Sequence, residues 1–461
     1  MSSRVTRRSF LKAAAAAGAA SVFVGPSIGR AGESPNNKLN IACIGVGGRG
    51  GAHVGAAAGQ NLVALCDADE GTLNTAAAAV ADKFPNVKKF TDYREMFDKA
   101  VKDFDAVFVA TPDHHHAFAT MLALKHKKHV YCEKPLTHSV WEARQMALAA
   151  RQAKVATQMG NQGNSSEGTR LLCEWVWAGA IGKVTEAHVW TDRPVNWWPQ
   201  GVDRPPYTDP VPAHLKWDVW LGPAPERPFC ATYRDGPYKG KQVYHPFVWR
   251  GWWDFGTGAL GDIACHAMAP VFWALKLGLP TAVEAKCEGG NKETYPVWSI
   301  ITYEFPARGD LPPVKLVWYD GKKLPPRPPE LGEERNPDGS YARVLGDNGV
   351  LLVGDQGKML AGDTPRIIPE AKMKEFKRPE PSLPRVPGND HHEDWFIACR
   401  GGRPASSNFD FAGPLAEAAL VGNIAIATGK RIEWDGPAMK AKNCPEAARL
   451  VHREYRKGWS L

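Results

Sequence analysis

Asp262 and His266 stand four residues apart in WWDFGTGALGDIACHAMAPVFWAL, a stretch of helical pattern, so both side chains project from one helix face. Oxidising an alcohol needs a base of near-neutral pKa, and a carboxylate beside an imidazole is expected to position the ring and raise its pKa. The same spacing also suits an ordinary ion pair on a helix surface. It would serve a divalent metal too, with help from His391 or His392, but no third ligand is spaced to compel one, and no metal is assigned. Far upstream, KLNIACIGVGGRGGAH carries Gly45, Gly47 and Gly50 in GxGxxG spacing, with Gly48 and Arg49 between them, directly after an apolar run. In a dinucleotide site such glycines allow a tight turn, close approach of backbone to pyrophosphate, and tight helix-to-strand packing. A second apolar run, NLVALCD, ends on Asp67, about 20 residues past the first glycine, where an acid binds ribose. That acid would accept from a 2′-hydroxyl and repel a 2′-phosphate, and Ala68 adds no cation, so the pattern favours NAD over NADP. A glycine loop with no ligand is the bland alternative.

The elements needed to hold these groups follow from periodicity. Helical EGTLNTAAAAVADKF, strand DAVFVAT (residues 105–111), helical HAFATMLALKHK and strand HVYCEKP alternate, which predicts a parallel, doubly wound sheet with right-handed crossovers. After Gln162 the pattern changes to helical SEGTRLLCEWVWAGAI, strand KVTEAHVW and a long segment dense in Trp and Pro. Alternating runs at 297–305 and 314–319, with short strands near Val283 and Leu351, predict a mostly antiparallel sheet with one face open. The expected organisation is an export signal at 1–31, an α/β Rossmann dinucleotide-binding domain at 36–160, and an α+β substrate and oligomerisation domain at 161–461. The Pro-rich stretch 322–339 reads as an ordered surface excursion.

Thr111-Pro112-Asp113-His114-His115-His116 is similar to the TPNxxH turn, and Glu133-Lys134-Pro135 to the EKP signature, of the glucose-fructose oxidoreductase, inositol dehydrogenase and rhizopine-catabolism (Gfo/Idh/MocA) family. The likeness extends over most of the chain after the presumed signal. It departs at Asp113, where the family has Asn; an acid is still expected to cap the helix that follows. The resemblance implies that Thr111, Pro112, His116, Glu133, Lys134 and Gln162 border the nucleotide. It implies that Lys134 lies beside the nicotinamide and the substrate hydroxyl, before a proline bond that is commonly cis. Asp262 and His266 match the family's DxxxH pair, in which the histidine takes the alcohol proton and the aspartate binds or orients. Three adjacent histidine side chains diverge, so they are not expected to share one metal ion.

Of seventeen tryptophans, seven (Trp197, Trp198, Trp217, Trp220, Trp249, Trp252 and Trp253) crowd the segment leading into the Asp-His helix. Aromatic faces flanked by polar groups suit sugars, which makes Trp198, Tyr244, His245, Arg250, Trp253 and Asp254 candidate substrate contacts; packing on the sheet is the alternative for most of the tryptophans. Nine cysteines without a CxxC pair argue against a disulfide framework or zinc site. The formal charge of +8 falls to +3 once Arg4, Arg7, Arg8, Lys12 and Arg30 are set aside, which leaves no nucleic-acid footprint. Those five residues flank TRRSFLK and an Ala-rich run, the pattern of a twin-arginine signal; a periplasmic location, no later membrane span, and a homo-oligomer (dimer or tetramer) are expected. Export of a folded chain implies tightly held NAD. The function expected is oxidation or reduction at a hydroxyl of a sugar or polyol. The alternatives are an NAD-dependent glycoside hydrolase working by transient oxidation and elimination, and a non-catalytic sugar-binding or redox-sensing protein.

Overall fold

The computed structural model describes residues 38–461, so the export signal expected at 1–31 lies outside the described residues. Six apolar runs form strands β1 (Asn40–Ile44), β2 (Asn61–Cys66), β3 (Lys88–Phe90), β4 (Ala106–Val109), β5 (His129–Glu133) and β6 (Thr157–Gly160). All pair in parallel, in the order β3-β2-β1-β4-β5-β6. The central strands are apolar on both sides because helices cover both faces. The order reverses between β1 and β4, and such a switch point opens a crevice beyond the strands' carboxyl ends.

Helix α1 (Arg49–Ala58) follows β1, α2 (Asp113–Lys125) follows β4, and α3 (Val140–Ala153) follows β5 with a Ser139–Glu142 capping box. The helix after β4 starts three residues earlier than the sequence pattern suggests and takes in all three histidines. Asp113 is therefore its first residue and not its cap: Pro112 holds the cap position, and the Asp113 carboxylate accepts from Thr257 Oγ1 at 2.8 Å.

A second sheet has nine strands: β7 (Val184–Trp190), β8 (Ala282–Glu288), β9 (Trp298–Phe305), β10 (Val314–Tyr319), β11 (Gly349–Gly354), β12 (Lys358–Leu360), β13 (Arg366–Ile368), β14 (Ile432–Asp435) and β15 (Lys440–Ala441). They run β13-β12-β11-β7-β10-β9-β8-β14-β15, antiparallel throughout except for the β7–β10 pair. Alternation sets the inner face: Ile301, Tyr303 and Phe305 of β9 and Leu316 and Trp318 of β10 join the main core. On the outer face, Trp190, Val317, Tyr319, Leu351 and Ile368 form a second apolar cluster, and Leu331 of the Pro-rich excursion and Leu345 just after it lie on it.

The inner face is covered by α4 (Gly258–Ala267), which carries the Asp-His pair, and by α6 (Phe409–Thr428). By length and composition α6 could cross a membrane, but 72% of its apolar window is buried inside the protein. An Arg144–Glu417 ion pair at 2.8 Å ties it to α3. Between these two helices in sequence, α5 (His391–Cys399) returns to the first sheet, where Trp395 and Phe396 pack beside Ile41, Phe108 and Tyr131. Chain from beyond residue 161 thus completes the nucleotide-binding half.

Candidate active site

The turn from β1 into α1 can exist only without side chains. Gly45 has φ +75°, and a Cβ there would sit 2.5 Å from the Ala110 carbonyl; one on Gly50 would lie 2.0 Å from Gly45 O. Gly50 is therefore a packing glycine that seats α1 on the turn. Gly48, at φ +51°, has nothing within 4 Å of where its Cβ would be. No acid occupies the first turn of α1, so its positive end is left for an anion. Asp67, at the end of β2, accepts from Val46 N–H (2.9 Å) and Asp69 N–H (3.0 Å). Burial nonetheless raises its pKa, the two N–H bonds opposing the shift.

These groups line a cleft of about 560 Å³ together with Thr111, Pro112, Glu133, Lys134, Gln162, His245, Arg250 and His266. The donor set fits NAD: a side-chain-free turn, a helix N-terminus and a ribose-binding acid. The cleft's cations Arg49, Lys134 and Arg250 are each paired, with Glu133, Asp262 and Asp262 respectively.

At the base of the cleft the Lys134–Pro135 bond is cis, and Lys134 Nζ lies 2.8 Å from Asp262 Oδ1 and donates to the Asp262 carbonyl at 3.0 Å. Arg250 Nε reaches the same carboxylate oxygen at 3.1 Å. Burial alone would raise the Asp262 pKa, but Lys134 and Arg250 outweigh it and hold the group below the usual carboxylate range. Asp262 is thus a buried anchor behind the cleft wall, while His266, one turn on, reaches the cleft. The expected rise in the His266 pKa is not found. Burial, then the Lys134 charge, lowers it to about 4, outweighing the upward pull of Glu133 and Asp262.

Glu133 is held more firmly than its motif suggests. Its Oε1 accepts from Arg49 (3.1 Å) and Gln162 (3.0 Å) and lies 3.0 Å from His53 Nε2, whose Nδ1 lies 2.9 Å from His392 Nε2 of α5. Burial would raise the Glu133 pKa, but the His53 bond and the nearby cations depress it. The sequence does not disclose that His53 and His392 meet, because 339 residues separate them.

The Trp- and Pro-rich segment forms the roof. Leu215, Trp220, Phe229, Tyr244, Trp252 and Phe255 are its core, and it is pinned to the first sheet where His214 Nδ1 and His245 Nε2 each lie 3.0 Å from Asp69 carboxylate oxygens. Each of the three histidines of α2 faces a carbonyl: His114 and His115 share Trp220 O, and His116 lies 2.7 Å from Pro135 O and 2.8 Å from Thr111 O. His116 therefore braces the loop beneath the cleft and does not line it. No group of three or more His, Cys, Asp or Glu side chains suited to a metal occurs among the described residues.

Of the candidate substrate contacts, the structure brings His245 and Arg250 into the cleft. The other four sit elsewhere. Tyr244 is buried in the roof core, Trp198 is buried with its Nε1 donating to Gln200, and Trp253 and Asp254 line a separate cleft. Aromatic crowding in the sequence could not say which rings point inward. Those that do are Trp220, Phe247 and Trp249, with Tyr93 opposite.

Two family models match, the oxidoreductase family NAD-binding Rossmann fold over residues 39–161 and the oxidoreductase family C-terminal alpha/beta domain over 176–310. Together they cover more than half of the sequence, and the chain belongs to the Gfo/Idh/MocA family of oxidoreductases. A 1,5-anhydro-D-fructose reductase of Ensifer adhaerens is 36% identical over 87 residues, 19% of this chain and 26% of that protein. A glycosyl hydrolase family 109 protein of Saccharopolyspora erythraea is 28% identical over 202 residues, 39% of this chain and 44% of that protein. The chain thus spans about a quarter to a half of the length of these curated relatives. In fold it resembles the WlbA dehydrogenase of Bordetella pertussis, solved with NADH and UDP-GlcNAcA, at TM-score 0.56 and 17% identity over 86% of this chain and 99% of that one.

Proposed function

We propose that this chain is an NAD-dependent oxidoreductase acting on a hydroxyl of a sugar or sugar-like polyol. One observation carries the reading: Lys134 and His266 line the same cleft as the Gly45 turn and Asp67. Bound NAD would supply a hydride acceptor, or NADH a donor. His266 is uncharged at neutral pH, because its pKa is lowered to about 4, so its ring nitrogen is free to take the alcohol proton as the carbon gives up hydride, as a weaker base than a near-neutral imidazole. An imidazolium formed there is a strong acid, which equally suits returning the proton to a carbonyl. Lys134, fixed by Asp262, presents its remaining N–H donors to the substrate oxygen, and Arg250 keeps Asp262 from acting as a competing base. Trp220, Phe247 and Trp249 exclude water and offer faces to the sugar ring.

Purified chain given NAD and a panel of sugars and polyols should form NADH. Lys134→Met and His266→Ala should each lower kcat/KM by about 10²- to 10⁴-fold. Since the base form of His266 persists above its pKa, kcat/KM should stay level from neutral pH down to about pH 5 and fall only as that group gains its proton. Full turnover in both variants would remove the assigned pair, and no turnover in wild type on any sugar would favour a non-catalytic sugar-binding role.

The match to a glycosyl hydrolase family 109 protein supports a second reading, redox-neutral hydrolysis through transient oxidation. Release of phenol from aryl glycosides without added oxidant would select it. We also infer export by the twin-arginine route with NAD already tightly held, a reading that rests on TRRSFLK and the Ala-rich run after it. Mass spectrometry of the native exported protein should then find NAD.

A further inference from the structure

A second cleft, of about 630 Å³, shares no lining residue with the first. It lies between the start of α3, the residues just before α4, the carboxyl-terminal half of α6 and the chain around 446–454. Its apolar wall is Val140, Leu420, Ile424 and Leu450, and Trp253 stands at one side. That indole is fixed, packed on Tyr295 with ring centroids 3.6 Å apart and with its Nε1–H given to Asn291 O at 3.0 Å. What it has left to offer is a ring face.

One polar group in this cleft is unfinished. Asn423 is only 6% exposed, and its Nδ2 donates to the Thr257 carbonyl at 2.9 Å. A carbonyl can face only the amide nitrogen, so the atom left over is Oδ1, an acceptor, and it has no partner. A buried acceptor without a donor is unfavourable, so a ligand that brings a hydrogen recovers that cost. Charges of both signs stand around the cleft, Lys292 and Arg449 against Asp254 and Glu454, so it asks for no net charge. An aromatic face, an apolar wall, a buried acceptor lacking a hydrogen and a balanced rim suit a ring with both C–H faces and hydroxyls.

We propose that this cleft is a second binding site, distinct from the nucleotide cleft, for a neutral polyhydroxylated small molecule of the sugar or polyol class. Its ring would lie on Trp253, with a hydroxyl donating to Asn423 Oδ1. Calorimetric titration of the NAD-loaded full chain with D-glucose and with myo-inositol tests it. At least one of these probes should show a binding event that is lost in Ala427→Trp, a substitution at an exposed position that fills the cleft, while turnover in that variant stays at the wild-type level. Trp253→Ala, which removes the platform, should lose the same event. The proposal is overturned if neither probe gives an event that Ala427→Trp removes. It is equally overturned if inorganic phosphate, and neither probe, is displaced by that substitution.

Discussion

At the scale of single residues, Asp113 bears most directly on how this chain differs from its family, which has asparagine at that position. Buried under the roof, its carboxyl is pushed up to about 8, chiefly by burial and then by the negative charge of Asp262. At neutral pH it is therefore a protonated acid, and a neutral carboxylic acid resembles an amide in shape and in carrying one donor and one acceptor. The substitution that looks like an added charge in the sequence adds none in the fold. Its consequence is a pH dependence. The folded value lies above the unfolded one of about 3.9, so the contribution to stability is fully present below that value and is lost as pH rises through about 8. Asp113→Asn should accordingly match wild type near pH 4 and exceed it increasingly as pH rises, by up to about 5 kcal/mol at pH 8, read as a widening gap between thermal melting points. Parallel melting curves across that range would mean that Asp113 is ionised in the fold.

At the scale of elements, helix α4, which carries Asp262 and His266, is placed by the long helix α6. Gly422 of α6 meets it where a Cβ would lie 2.2 Å from Tyr303 Oη and 2.6 Å from Leu260 Cδ2, with Tyr303 on β9 and Leu260 on α4. Gly422→Ala would therefore push α6 off both neighbours. A loss of about 1–3 kcal/mol in stability is expected, and a lowered kcat with little change in NAD affinity, since α4 carries His266 while the Gly45 turn lies in the other sheet. An unchanged melting point and kcat would mean that the interface gives way freely. No periodicity announces this glycine, and that marks the limit of what the chain's pattern discloses. The strand Asn40–Ile44 was legible as a short apolar run ending in a glycine turn, and Trp298–Phe305 because burial on one side imposes a local period. The Gly45 turn and Asp67 were legible because dinucleotide chemistry restricts residue type at fixed spacings, and Lys134 through the likeness of Glu133-Lys134-Pro135 to a family signature. The roof was not: it has no period, its contacts are long-range, and Tyr244, Trp198, Trp253 and Asp254 look in sequence much like Trp220, Phe247 and Trp249, which do face the cleft.

For the whole molecule, the outer face of the nine-stranded sheet decides how copies can meet. A sheet covered on one side only would offer its apolar outer face to a partner. Here the chain covers part of that face itself. Leu331, 5% exposed, sits from the Pro-rich excursion on Trp190, Val317, Tyr319, Leu351 and Ile368, while toward the sheet edge β8 turns the charged Glu284, Lys286 and Glu288 away from the core. A second copy approaching this face would meet Leu324 of the excursion and Val344 just after it, 48% and 65% exposed, before it met the sheet. Leu331→Asp separates the two arrangements, because an acid cannot stay on the apolar cluster and the excursion must lift. Losing the burial of one leucine should cost about 1.5–3 kcal/mol, and the uncovered sheet face should raise the sedimentation-derived mass or drive precipitation at concentrations where wild type is well behaved. If the variant melts and sediments like wild type, the excursion is a passive loop and the sheet face is free for a partner after all. If it loses stability and self-associates, the excursion is the cover that keeps the face from pairing, and any wild-type assembly must be built on surfaces that the excursion leaves exposed.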